Sequence, residues 1–583
     1  MRSEALIGEF ACVFAVFSVP SHLEMVILLV ILGYLAVLML LSRLTARRST
    51  NDAFFRGERR SPWYMVAWGM IGASISGVTF VSVPGMVLKQ DMTYLQMCLG
   101  FIPGYFIVAL VLLPIYYKLN LTSIYTFLGQ RLGREAYKTG ASFFLLSKMT
   151  GAAARFYLVC MVIWGVLAQT LVPTPNLPSV ANEGFAPLCG AAATPVAALK
   201  APVARGEGGL IGLGDSVVNS SGVQTPLLGG VGGGYQESFG FLLVVLAMIA
   251  LIWLYTRRGG IKTLVWTDSL QTLCMFGALL LIIYKVMGEL GLDFAGTVSA
   301  IAHDSHSRVF VWDDWVSRQN FWKQFLSGIF VVIVMTGLDQ DMMQKNLTCR
   351  SLRDAQKDMA VYGLAFFPAN LLFLSLGVLL VLLAQQRGVD LPAAGDQLLP
   401  MFAATGSLGQ GALVLFVLGI VAAAFSSADS ALTAMTTSFC VDLCGRPDDE
   451  RLRRRVHIGM ALVFIGVIML FRLANSPSVI DAIYVMCGYT YGPLLGLFAY
   501  SLSPFPSPVG RGEKNALANG VTSEASPMGG GWVGAICIAA PLLCFAIDQL
   551  SQHLWGYRFG YELLMLNGLL SFSGLWAVDH LRK

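Results

Sequence analysis

The sequence predicts an all-α polytopic membrane protein of about thirteen transmembrane helices. Three observations predict it. Hydrophobic residues make up 56% of the 583 positions and charged residues only 13%, where soluble domains carry about 25% charged residues; the mean hydropathy is +0.68. Apolar runs of about 17–25 residues, enough to cross a bilayer, recur along most of the chain. One of them, containing residues 419–443, is apolar enough for membrane burial yet carries Ser426, Ser427, Asp429, Ser430, Thr433, Thr436 and Thr437.

Taken in order, the chain opens with a tail, residues 1–24. Its apolar stretch 5–20 resembles a signal peptide but is interrupted by Glu9 and preceded only by Arg2, and Met25 offers a second start at the first span. The predicted spans are 25–44, 63–88, 94–117, 140–171, 239–255, 264–287, 325–343, 359–384, 412–443, 456–470, 480–502, 532–550 and 561–578. The loop after the first span holds Arg43, Arg47, Arg48, Arg56, Arg59 and Arg60. Placing it in the cytoplasm puts most of the 39 Lys and Arg inside, including Arg451, Arg453, Arg454 and Arg455. The N-terminus is then outside and the C-terminus inside, in a cell (inner) membrane. Two segments interrupt the pattern. Residues 172–236 are rich in Gly, Ala and Pro with almost no aromatics, and read as a disordered outer insertion; 503–531 read as a cytoplasmic linker. Asn219-Ser220-Ser221 fits a glycosylation sequon, which in a bacterial protein is chance.

Composition excludes several classes. The net charge of +5 sits in short basic loops, so no nucleic-acid partner is implied. Most of the 11 Cys lie in apolar runs and no CxxC occurs, so neither a zinc site nor a disulfide framework is expected. No HExxH, GxSxG or His-rich span supports a membrane-embedded enzyme. Only five residues follow Val578, which speaks against a fused sensor domain. A channel would share the oxygen-lined helix, and saturable sodium-dependent uptake would separate the two.

The hydroxyl-rich run carries the chemistry. On a helix, Ser426, Asp429, Ser430, Thr433 and Thr437 follow the i, i+3, i+4 rule and share one face. One carboxylate with several hydroxyls is a hard oxygen surface, suited to Na⁺ and not to zinc or copper. The bland alternative is that each hydroxyl bonds back to its own helix. Arg155 is the other intramembrane signal, since it sits midway along 140–171, roughly 22 Å from the inner end. A cation there costs about 2.5–3.5 kcal/mol on insertion scales, so something should compensate it. Its planar fork suits a substrate carboxylate, and a permanent ion pair with Asp268 or Asp339 is the alternative. Lys148 lies nearer the interface and is expected to snorkel.

Four stretches carry a family resemblance. They are Gly72-Ala73-Ser74-Ile75-Ser76-Gly77, Tyr255 to Asp268 with its Arg257-Arg258-Gly259-Gly260 loop, Thr336-Gly337-Leu338-Asp339-Gln340 ahead of a basic loop, and Ala423 to Asp442. Over most of the chain it resembles the sodium:solute symporter family, which includes sodium-coupled sugar, proline and sialic acid transporters. The loop departs slightly, at Ile261 and Thr263. The resemblance implies a LeuT-like fold: one extra helix (25–44), two inverted five-helix repeats (63–288 and 322–502), and C-terminal helices within 532–583. The first helix of each repeat is broken at the midplane; Gly72, Gly77 and Pro84 in one and Gly337 beside Asp339 in the other agree. Gly488, Gly492 and Gly496 read as packing positions.

Carried over residue by residue, the resemblance implies a sodium site of the Gly72, Ile75 and Ala423 carbonyls with the Ser426 and Ser427 hydroxyls. A second cation site is implied at Asp268, Asp429 and Ser430. Asp429 departs from the family's usual hydroxyl there, and two carboxylates in one pocket would favour a proton on one. The alternative for Asp268, about six residues or roughly 9 Å past Lys262, is simple hydration at the cytoplasmic mouth. Implied substrate candidates are Ser74, Thr79, Met335, Tyr489 and Thr490, each of which could equally be packing. Apolar Val332 and Met335 argue against a simple hexose. An arginine in the helix of Arg155 is what the sialic acid transporters of the family use for a carboxylate. The expected function is sodium-coupled uptake of a small polar, carboxylate-bearing solute by alternating access, with Na⁺ as coupling ion and the lipid bilayer as partner. Sodium- or proton-coupled transport of a sugar or amino acid without an anionic group is the alternative.

Overall fold

A computed structural model describes residues 22–45, 50–171, 233–404, 407–474, 479–504, 531–557 and 559–581. Its main helices are α1 (His22–Thr45), α2 (Trp63–Ser74), α3 (Gly77–Gln90), α4 (Tyr94–Lys118), α5 (Arg134–Leu171), α6 (Gly233–Gly259), α7 (Ile261–Leu290) and α8 (Phe321–Gly337). They continue with α9 (Gln340–Asn346), α10 (Leu352–Arg387), α11 (Gln410–Leu443), α12 (Glu450–Ala474), α13 (Val479–Leu502), α14 (Trp532–Trp555) and α15 (Leu563–Leu581). Each apolar run picked out from the sequence is helical. Among the described residues, eight helices are long and apolar enough to cross a membrane, or up to ten when two bent pairs each count as one span. Of the remaining runs, α1 counts as a shorter apolar helix over Leu29–Thr45 among the described residues, and α15 is diluted by Asn567, Asp579 and His580. The last residues assigned to the outer insertion belong to α6, which starts at Gly233. The rest of that insertion, residues 172–232 with the Asn219 sequon, lies outside the described residues, as do 1–21 of the tail and 505–530 of the linker.

The interior is organised around α11. Every residue from 419 to 438 is buried, and 72% of its apolar window is covered by protein, against 22% in α12 and 28% in α7 and α14. Ala422, Ala423, Ala424, Ala428 and Ala431 keep its surface small, so neighbouring helices pack close. The outer helices instead expose Leu273, Leu280, Leu462, Leu470, Leu542 and Leu543, a surface that hydrocarbon solvates at no cost.

Two helices are broken, and local sequence explains both. Between α2 and α3 the chain bends 59°. The Ser76 N–H turns to the Ser74 carbonyl at 3.1 Å, so the Gly72 carbonyl loses the partner that a continuous helix would supply. Gly72 must stay glycine because a Cβ there would lie 1.9 Å from Thr272 Oγ1 of α7. Between α8 and α9 the bend is 69°. Here Asp339 caps α9, its Oδ1 accepting from the Asp341 and Met342 N–H groups at 2.8 and 3.4 Å. The carbonyls released by this second break are claimed by buried tyrosines: Tyr116 donates to Gly337 at 3.0 Å and Tyr125 to Leu338 at 2.9 Å. The four-residue glycine spacing in α13 is a packing stripe. A Cβ on Gly492 or Gly496 would lie 2.3 Å from Asn567 or 2.4 Å from Ser571 of α15.

Candidate functional site

Both breaks open on one cavity of about 100 Å³. Ser74, Ser76 and Thr79 reach it from the first break, and Met335, Thr336, Asp339 and Met342 from the second. Helix α5 contributes Ser147, Lys148, Gly151 and Arg155, an i, i+4, i+8 stripe with its neighbour. Aromatic rings close one wall. Tyr105 packs on Tyr362 at 4.6 Å and Phe101 on Phe366 at 5.6 Å. The Tyr362 hydroxyl is hydrogen-bonded to that of Ser74.

Of the substrate candidates, Ser74, Thr79, Arg155 and Met335 therefore share a cavity, and Tyr489 and Thr490 stand apart from it. Tyr489 lines a second cavity of about 440 Å³ beside Phe545 and Tyr561, and Thr490 Oγ1 donates back to the Met486 carbonyl at 2.7 Å. Helix α13 presents Cys487 and Tyr491 to the first cavity instead. These are four residues apart and share a face, whereas residues 489 and 490 point round the helix. Tyr491 donates to Asp339 Oδ2 at 2.5 Å.

The buried charges pair differently from the sequence expectation. Lys148 does not snorkel. It is buried, with Nζ 3.3 Å from Asp339 Oδ2 and 2.6 Å from Asp341 Oδ2. Asp268 is fully buried, which rules out hydration at a cytoplasmic mouth, and its Oδ2 is 2.7 Å from Lys345 Nζ. Both proposed partners of Arg155 are thus taken by lysines. Arg155 makes no hydrogen bond or ion pair with a described residue, and it lines the cavity. Lys345 lies just past the predicted span 325–343, where the sequence reads as a basic loop. The available signal was Asp341 and Lys345 at i, i+4, one face of a short helix that a hydropathy window cuts through.

Next to the first break, Ser427 Oγ lies 3.3 Å from the Ala423 carbonyl and 3.4 Å from that of Ala73. This hydroxyl ties α11 to the end of α2, within three residues of Gly72 and Ile75. Ser426 Oγ donates to Asp268 Oδ1 at 3.1 Å. Asp429, one turn on, accepts from Tyr255 OH at 2.5 Å and from Ser430 Oγ at 3.3 Å. Farther along, Thr436 and Thr437 do bond back to the carbonyls of Leu432 and Thr433, as the bland alternative has it. The arrangement places neutral carbonyls and hydroxyls beside the first break, with Asp268 and Asp429 near them, and separately a cavity lined by both breaks and by Arg155.

Known proteins match this architecture. Residues 235–503 match the sodium:solute symporter family. The sodium/sialic acid symporter SiaT of Proteus mirabilis is 23% identical over 80% of this chain and 83% of its own length. The sodium-dependent multivitamin transporter of Oryctolagus cuniculus is 24% identical over 78% of this chain, which spans 62% of that protein. Sodium-coupled monocarboxylate transporter 2 of Mus musculus is 22% identical over 82% of this chain and 67% of its own length. Among solved structures, the substrate-bound, outward-open state of a Na⁺-coupled sialic acid symporter superposes with a TM-score of 0.69 at 18% identity, covering 95% of this chain and 98% of that one. Mhp1, a nucleobase-cation-symport-1 family transporter in a closed conformation, superposes at 0.50 and 12% identity over 91% and 96%. These two likenesses show the fold. The sequence matches make this chain similar to sodium-coupled membrane transporters, with residues 235–503 matching the sodium:solute symporter family.

Proposed function

We propose that the protein is a secondary active symporter that couples inward Na⁺ flow to uptake of a small carboxylate by alternating access. The observation that carries this is the juxtaposition of a neutral oxygen cluster at the first helix break with a cavity bordered by an unpaired arginine. For the coupling ion we propose the carbonyls of Gly72, Ile75 and Ala423 and the hydroxyls of Ser426 and Ser427. Uncharged oxygens hold a monovalent ion weakly enough to release it on the low-sodium side. The Ser427 hydroxyl, within reach of both α11 and the end of α2, supports that assignment.

For the solute we propose that Arg155 binds a carboxylate through its planar fork, with Ser74 and Thr79 as further polar contacts and Met335 as apolar lining. An apolar cavity of about 150 Å³ accommodates benzene. One of about 100 Å³ with an aromatic wall suits a monocarboxylate of a few heavy atoms. The inverted repeats at 63–288 and 322–502, and an outside N-terminus with a cytoplasmic C-terminus, complete the reading. The basic loop at Arg56, Arg59 and Arg60 and the cluster at residues 451–455 support the orientation.

The test is uptake of labelled short monocarboxylates into proteoliposomes under a sodium gradient. Uptake should saturate, collapse when K⁺ replaces Na⁺, and lose on the order of 100-fold in apparent affinity in Arg155→Lys, as expected for a severed buried charge contact. Uptake indifferent to the cation removes sodium coupling. A Lys variant that binds the substrate as tightly as wild type removes the clamp.

A further inference from the structure

We infer that the cation position beside Asp268 is filled by the chain's own Lys345 ammonium, so that Lys345 sets the coupling stoichiometry at a single Na⁺. This rests on the sodium-coupled reading above. Lys345 Nζ is 2.7 Å from Asp268 Oδ2, and the two side chains are 2% and 0% exposed. The other carboxylate oxygen accepts from Ser426 Oγ at 3.1 Å. The site is sealed from α2, where a Cβ on Gly69 would lie 3.0 Å from Asp268 Cβ.

The ammonium is delivered by a rigid piece of chain. Asp339 caps the start of α9. At its end, Gln344 Nε2 donates to the Phe55 carbonyl at 2.8 Å and to Thr437 Oγ1 at 3.0 Å, and Asn346 Nδ2 donates to the Ala355 carbonyl at 3.0 Å. A helix anchored on both sides of residue 345 holds its side chain in place. An ammonium is a compact unit charge with three donors. A Na⁺ on the same carboxylate would meet a like charge in a buried site, where screening is weak. Two further carboxylates face Lys345: Asp341, which is paired with Lys148, and Asp429, which is engaged by Tyr255 and Ser430. The Ser426 hydroxyl has one proton, which points to Asp268, and its lone pairs stay available to a sodium ion at the first break.

Equilibrium binding of radiolabelled Na⁺ to the purified full chain tests this, with the thermal midpoint as a second readout. Wild type should bind one Na⁺ per chain. Lys345→Gln frees Asp268 and should bind two, with a Hill coefficient rising from about 1 towards 2 and a midpoint that sodium raises further than in wild type. Lys345→Arg keeps a tethered cation and should bind one. Two ions in wild type, or one in a folded Lys345→Gln variant, overturns the inference. Where the single variant does not fold, Asp268→Asn with Lys345→Gln removes both charges and decides. That double variant should keep one Na⁺, and its loss would make Asp268 a ligand of the coupling ion and overturn the inference. Wild type that binds no Na⁺ sinks the sodium-coupled reading itself, and this inference with it.

Discussion

At the first break the chain turns 59° through Ser74, Ile75 and Ser76 and puts no charged side chain into the turn. At the second it turns 69° through Leu338 and Asp339, and the short helix that follows carries Asp341 and Lys345. The freed carbonyls of the second break are claimed by Tyr116 and Tyr125, and its charges by Lys148 and Asp268. At the first break, the Gly72 carbonyl is released and a serine hydroxyl from α11 approaches. One break is therefore a neutral, adjustable oxygen cluster. The other is a braced element held by ion pairs at both ends. The difference suits an ion that must come and go in the first place and a fixed partner in the second.

Four substitutions break or sharpen that contrast. The largest effect is expected from Ser426→Ala with Ser427→Ala, which strips both hydroxyls from the neutral cluster. Sodium-driven uptake should be abolished in a protein whose thermal midpoint stays near wild type; unchanged sodium dependence would refute the ion-site assignment. Second, Lys148→Met leaves Asp339 and Asp341 buried without their cation, and should destabilise by about 3–5 kcal/mol. Adding Asp339→Asn and Asp341→Asn should recover most of that, and denaturation of both variants in detergent measures it. Failure of the triple variant to recover would mean that the cluster is not a charge-balanced brace. Third, Gly72→Ala forces a Cβ against Thr272, at a cost of about 1–3 kcal/mol of overpacking. Thr272→Ala in the same chain should relieve it; without relief, the α2–α7 approach is not what requires the glycine. Smallest is Ser74→Ala at the neutral break, which removes one hydrogen bond to Tyr362 and should cost about 0.5–1.5 kcal/mol. A loss as large as that of Lys148→Met would show the two breaks to be equally braced.

Much of this was legible in the sequence. Hydropathy and helical period located every apolar run that is helical, and the hydroxyl spacing from Ser426 to Thr437 marked the helix that proves the most buried. Gly492 and Gly496 announced a packing stripe. Arg155 stood out because a lone cation at mid-span demands an explanation. The register of α13 was not legible. Its face toward the cavity is Cys487 and Tyr491, and nothing in the local sequence distinguishes that face from Tyr489 and Thr490. The pairing of Lys148 was equally hidden, because snorkelling is its default until two carboxylates from a broken helix lie within reach.

Sequence by itself determined what depends on neighbours along the chain: which segments are apolar and helical, and that hydroxyls and a carboxylate share one helix. These follow from local hydropathy and period. Only the tertiary structure decided which charges meet. Lys148 with Asp341, Lys345 with Asp268, and Arg155 left over are outcomes of how α5, α7 and α9 rotate and pack against one another. Each lysine could have paired with either carboxylate group, and the choice among them is made by geometry between helices, which no local pattern encodes.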